Sequence, residues 1–330
     1  MVNLVDRLAP IVSLPHQPRI AREIATVIAV HPNTMTANMF IRQSIIRAGL
    51  ATHDQVIEGL AAWVTIIFDL GNLRRDVRRG LDVGAAIPEE SLDVLSRCLA
   101  RAPKGCIVAL PHIGSMDLFC AQLKQLGFNM GFVFTISDDP TPTERWLYEA
   151  RSATGCTPIV FGRRNTGTDI SRILRNNGVV FMVVDVYPTA KYRGIRVHMH
   201  DAAFNFPPGP AKYARSGTLV LPGFASRRDA TGFSARLLDP IEHPDGNADA
   251  TFTQALANRI GQFTAQRPEA YWLWHPIPND PFMMIAQRHR PDILRALVGI
   301  SRDDEATALA VEAVDPDRLA RLAEWPGLTG

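Results

Sequence analysis

The sequence has little cysteine, no long apolar run and no excess of one charge, and each shortage closes off a class of protein. Of 330 residues only four are cysteine, and Cys98, Cys106, Cys120 and Cys156 lie in or beside apolar stretches without Cys-x-x-Cys spacing. That pattern fits reduced core thiols, not a disulfide framework or a zinc site. No segment reaches the roughly 18 apolar residues of a membrane span. Leu60–Phe68 stops at Asp69, and Val179–Val184 stops at Asp185. Met1–Pro10 carries Asp6 and Arg7 and lacks a signal peptide's apolar stretch. The expected location is therefore the cytosol, with any membrane contact peripheral, at the inner face. With 35 basic against 33 acidic residues, the net charge offers nucleic acid no electrostatic foothold. There is no internal repeat, no low-complexity tract and no Gly-x-Ser-x-Gly nucleophile elbow.

What is present is a globular composition, 46% hydrophobic and 21% charged, on a chain long enough to bury a large core. Residues 1–100 read as a helical section. Ile20–Val30, Met39–Leu50 and Val56–Leu70 carry helical periodicity, and Pro88 followed by Glu89 and Glu90 opens a helix with Leu92, Leu95 and Leu99 on one face. From Cys106 the pattern changes to short apolar runs alternating with amphipathic stretches. Strands are expected at Cys106–Leu110, Phe128–Thr135, Thr157–Phe161 and Val179–Val184. Helices are expected at Ser115–Leu126 (Met116, Phe119, Leu123 and Leu126 inward), from Pro142 to about Thr154, and at Thr168–Asn177. Thr141-Pro142-Thr143-Glu144 has the form of a capping box. Strands at Gly194–His200, Thr218–Leu221 and Phe233–Leu238 should complete the sheet, followed by a helix at Ala248–Gln266.

Such alternation implies an α/β fold, a largely parallel central sheet flanked by helices. Residues 1–100 would pack on a core of residues 101–285, with 286–330 a peripheral helical tail, most simply as one domain.

The chemistry-bearing stretch is Ala109-Leu110-Pro111-His112-Ile113-Gly114-Ser115-Met116-Asp117. It places a histidine at the end of a buried strand and an aspartate in the first turn of the next helix. In one continuous helix that separation would turn the two side chains to nearly opposite faces. A strand-to-helix turn lifts the restriction: Gly114 can bend the backbone, Ser115 can cap the helix, and Asp117 could reach back to one imidazole nitrogen. The other nitrogen would then serve as a base toward a hydroxyl or amine. The plainer reading, in which His112 ends the strand and Asp117 complements the helix N-terminus, is compatible with the same spacing.

The motifs that follow distinguish the two. The sequence resembles the lysophospholipid/glycerolipid acyltransferase superfamily, and most of all its branch of bacterial lipid A late acyltransferases and phosphatidylinositol mannoside acyltransferases. His112-x4-Asp117 matches the superfamily's signature. Phe161-Gly162-Arg163-Arg164, the strand Val180–Asp185, Phe206-Pro207-Pro208-Gly209-Pro210-Ala211 with Ala214, Leu219-Val220-Leu221-Pro222, and Arg267–His275 with Tyr271, Trp272 and Trp274 follow in the branch's order. The likeness covers about residues 100–278. The Glu-Gly-Thr-Arg motif of the glycerophosphate branch is absent where Asp185-Val186-Tyr187-Pro188 stands, which argues against simple glycerol-3-phosphate as acceptor.

The resemblance implies transfer of a fatty acyl chain from a thioester, on acyl carrier protein or coenzyme A, to a lipid, glycolipid or metabolite. His112 would be the base and Asp117 its partner, with no covalent enzyme intermediate, no cofactor and no metal. Gly114, Ser115, Arg163, Arg164 and Asp185 are candidate substrate-binding residues: backbone N–H groups near Gly114 for an oxyanion, and the arginines for a phosphate. Asp185 reads equally as a strand-end turn residue. Over residues 163–196, seven basic residues face two acidic ones, a surface suited to an acidic carrier protein or an anionic membrane. His198 and His200 share a strand face, but Asp201 follows His200 directly, which is not the metallo-hydrolase spacing. A thioester hydrolase on the same dyad, or a non-catalytic acyl-carrier or lipid-binding module, are the alternatives.

Overall fold

The computed structural model describes residues 16–30, 52–76, 87–102, 104–136, 138–185, 194–199, 202–227, 233–244, 246 and 248–266. Among the described residues three helices come first: α1 (Gln17–Val30), α2 (His53–Asp76) and α3 (Glu89–Arg101). Then follow β1 (Cys106–Leu110), α4 (Met116–Gln125), β2 (Met130–Phe134), α5 (Pro142–Ala153), β3 (Thr157–Val160), α6 (Thr166–Arg175) and β4 (Val179–Val183). The remainder is β5 (Ile195–Met199), β6 (Ala202–Phe206), α7 (Gly209–Arg215), β7 (Leu219–Arg227), β8 (Phe233–Leu237) and α8 (Asp249–Gln266).

Six strands form one sheet in the order β3-β2-β4-β1-β7-β8. All pairs are parallel except β7 with β8. The expected α/β layer fold is what the chain adopts. β1 is buried at every position, as a central parallel strand covered on both faces must be. Its side chains alternate between two cores. Ile107 and Ala109 join the face covered by α1, α2, α5, α6 and α8, whereas Cys106, Val108 and Leu110 join the face of α3 and α4.

The β1–β4 register is anchored where the strands begin. Cys106 N–H donates to the Gly178 carbonyl at 3.0 Å, and a Cβ on Gly105 would stand 1.8 Å from that same oxygen. Only glycine fits this approach. Four rungs on, the register pairs Leu110 with Val183.

Local signals account for several boundaries. Thr141 accepts from Glu144 N–H at 3.2 Å and its own N–H donates to the Glu144 carboxylate at 2.7 Å, the complete capping box that opens α5. Leu92, Leu95 and Leu99 all contribute to the core beneath α3.

Three expectations need correction. Leu126 is exposed because α4 ends one residue before it. The strand at 195–199 stays out of the main sheet and forms an antiparallel ribbon with β6, a strand that the sequence reading did not anticipate. One face of β5 is solvated, with Arg196 and His198 exposed and Val197 and Met199 buried, which suits a ribbon laid on the core. β7 runs through Pro222 to Arg227, with the Pro222 carbonyl accepting from Leu238 N–H at 3.0 Å. The stretches at Met39–Leu50, Arg267–His275 and 286–330 lie outside the described residues.

Candidate active site

β1 and β4 run parallel, and His112 and Asp185 each stand two residues beyond the last paired rung, Leu110–Val183. The sheet therefore delivers both to one point on its carboxyl edge. The chain leaving β1 enters α4 on one face, and the chain leaving β4 returns through β5, β6 and α7 on the other. Adjacent strands whose connections diverge in this way open the crevice in which α/β proteins bind ligands.

Asp185 clamps His112 twice. One carboxylate oxygen accepts from the His112 backbone N–H at 2.6 Å, and the other meets Nδ1 at 2.7 Å. The Asp185 side chain is fully buried and the imidazole about one quarter exposed, at 24%. A carboxylate can only accept, so the tautomer that satisfies this bond carries its proton on Nδ1 and its lone pair on Nε2. Ile113 N–H to the Pro111 carbonyl at 2.7 Å and Val184 N–H to the Leu110 carbonyl at 2.9 Å tie down the two loops. Gly114 takes φ 61°, the left-handed bend that glycine makes at least cost.

Asp117 is placed differently from the expectation. Its carboxylate accepts from Arg151 Nε at 2.9 Å, and the bond on His112 Nδ1 goes to Asp185 instead. The physical reason is the direction of α4, whose first turn points Asp117 into the buried layer beneath the sheet edge, where the end of α5 supplies a cation. The Arg151 guanidinium lies 5.2 Å from the Phe132 ring centre and 5.3 Å from that of Phe134, so aromatic faces share in stabilising its charge. Ser115 occupies the N-cap position of α4 but makes no cap bond. Its hydroxyl donates to Asp69 Oδ2 at 3.2 Å, linking the His112 turn to α2.

Arg163 and Arg164 are exposed in the loop after β3. β3 is an edge strand of the sheet, three positions from β1, hence about 14 Å away at the usual strand spacing. They share the carboxyl edge with His112 without joining it. Within the basic stretch Arg172 is paired with Asp169 at 2.9 Å, and Lys191 and Arg193 lie outside the described residues, as does His200. His198 is exposed on β5, where its backbone bonds the Gln254 side chain at 2.9 and 2.8 Å.

The family model of bacterial lipid A biosynthesis acyltransferases matches residues 21–277. The chain belongs to that family. It is an acyltransferase, and its family acts on lipid. The match takes in most of α1, all of α2 and α3, and the whole sheet. No curated protein matches the chain.

Sequence reasoning did not find Arg151 or Asp69 in this acyltransferase. Arg151 is 34 residues from Asp117 and Asp69 is 46 from Ser115, and nothing local marks either. Asp69 did carry a signal, a lone acidic residue breaking an apolar helical run, since carboxylates so placed are seldom buried without a partner.

Proposed function

We propose that the acyltransferase moves a fatty acyl chain from a thioester, on acyl carrier protein or coenzyme A, to a hydroxyl or amine of a lipid acceptor, with His112 as general base. The supporting observation is the double clamp of Asp185 on His112. It presents a ring whose Nε2 takes the acceptor's proton as the acceptor attacks the thioester carbonyl. The carbon–sulfur bond then breaks, and the imidazolium returns the proton to the departing thiolate. Asp185 offsets the positive charge on the ring during the transfer. Backbone N–H groups at the Gly114–Ser115 turn and the first turn of α4 are suited to the oxyanion. No covalent enzyme intermediate and no cofactor enter this scheme. Arg163 and Arg164 would meet a phosphate at the rim of the same edge, on the donor's pantetheine arm or the acceptor's headgroup. Among the described residues no helix is long and apolar enough to cross a membrane, and we read the lipid as approached from the inner face.

The test starts from mass spectrometry of lipids from cells with and without the protein, seeking a species that differs by one acyl group. With that acceptor in hand, His112→Ala should reduce transfer about 10²–10⁴-fold while the fold survives. Near-normal turnover by a folded variant would sink the scheme. Free acid released equally fast with and without acceptor would identify a hydrolase.

A further inference from the structure

Outside the site, two buried thiols lie in direct contact. Cys120, on α4, and Cys156, just before β3, have their sulfurs 2.9 Å apart in a buried layer. A disulfide bond is about 2.05 Å long, so sub-ångström movement separates contact from bond. The Cys156 thiol is also within 3.6 Å of the Cys120 carbonyl. Both cysteines are reduced here.

We propose that Cys120 and Cys156 form a reversible dithiol–disulfide couple, with a small peroxide as oxidant. The two sulfurs are unequal. The hydrogen bond from Cys120, with lesser help from Thr154 and Lys124, draws the Cys156 thiol below its ordinary value against the effect of burial. Burial pushes the Cys120 thiol up. Cys156 is thus the sulfur that attacks. Its thiolate displaces hydroxide from hydrogen peroxide, which leaves as water, and becomes a sulfenic acid. The Cys120 sulfur then attacks that sulfur, the S–O bond breaks and a second water leaves. Two thiols have lost two electrons and two protons, and one peroxide has become two waters.

The other two cysteines act as internal controls. Burial raises the Cys98 thiol and pushes that of Cys106 up to about 12. The couple also has a defined place in the architecture. Cys120 lies one turn along α4 from Asp117. The Thr154 hydroxyl, which accepts from Cys156 N–H at 3.2 Å, donates to the Arg151 carbonyl at 2.6 Å. A disulfide here would fasten the helix that carries Asp117 to the segment that follows Arg151.

The full chain is treated with hydrogen peroxide, denatured, alkylated with iodoacetamide and mapped after trypsin. The expected result is a mass lower by two hydrogens, two alkylated thiols where there were four, and peptide 105–124 joined to 152–163. Both Cys106 and Cys120 lie in the first of these peptides, so fragmentation assigns the bond, and a Cys106→Ser chain should still form it. Dithiothreitol should restore all four thiols, and Cys156→Ser should leave Cys120 alkylatable. Four thiols still alkylated after peroxide, a bond at Cys106, a link between two chains, or sulfinic acid at Cys156 in place of a bond would each overturn the proposal. The unsubstituted chain decides this alone if a serine variant fails to fold.

Discussion

Asp185 and Asp117 are both almost completely buried beside the same turn, yet they hold opposite kinds of partner. Asp185 grips a ring that can gain and lose a proton. Asp117 grips a guanidinium that cannot be deprotonated in proteins. The first arrangement holds an ionisable ring at the rim of the sheet, and the second ties α4 to α5. Asp117 is the nearer of the two to His112 along the chain, and Asp185 stands 73 residues away. What places Asp185 on the imidazole is strand register. The comparison teaches that at a sheet's carboxyl edge, adjacency of strands outranks proximity in sequence.

The largest effect should follow from replacing Asp185. Asp185→Asn keeps the size of the side chain but removes the charge that offsets the imidazolium, and its amide can donate to the ring and favour the other tautomer. Turnover should fall about 10²–10⁴-fold, read as kcat in the transfer assay, with the melting temperature little changed beside it. An unaltered kcat would mean that Asp185 only braces the turn.

Asp117→Asn should produce the converse. A buried guanidinium left without its anion costs about 3 kcal/mol, moderated here by the two phenylalanine faces. The expected outcome is a lower denaturant midpoint, with kcat in the surviving folded fraction reduced less than in Asp185→Asn. If instead kcat collapses while stability holds, Asp117 takes up the ring during turnover, and the pairing with Arg151 describes only the resting enzyme.

Much of the frame behind this contrast was legible from sequence because its signals are local. β1 and β4 read as unbroken apolar runs, and the Thr141–Glu144 box announced α5 at the residue where it begins. The histidine at the end of β1 and the glycine beside it were also readable, since a buried strand that stops at His-x-Gly implies an exposed ring on a turn. The identity of the ring's partner was not. It depends on β4 lying against β1 while β2 and β3, which come between them in the chain, lie farther out. Nothing in either strand's own residues states that order. Arg151 was hidden for the same reason, since the ion pair that brings the end of α5 to the first turn of α4 joins residues far apart in the chain. The ribbon β5–β6 was readable in principle, because Ile195-Arg196-Val197-His198-Met199 alternates polar with apolar whereas the central strands do not.

The smallest expected effect belongs to the residue between the two regions. Ser115 follows His112 by three positions and precedes Asp117 by two, and its buried hydroxyl donates to Asp69 on α2. Ser115→Ala removes that donor and leaves a buried carboxylate oxygen short of one bond, at a cost of about 1–2 kcal/mol. Which measurement registers the loss tells how the turn is held. If the Asp185 clamp alone positions the ring, the cost appears in the denaturant midpoint and kcat stays within about twofold, a change of roughly 0.4 kcal/mol in the barrier. If the contact with α2 also aims the ring, kcat falls with the midpoint. Ser115→Thr, which retains the hydroxyl, should then restore both. Loss of activity in the threonine variant as well would mean that the space around the turn matters more than the bond, and that α2 shapes the site by packing.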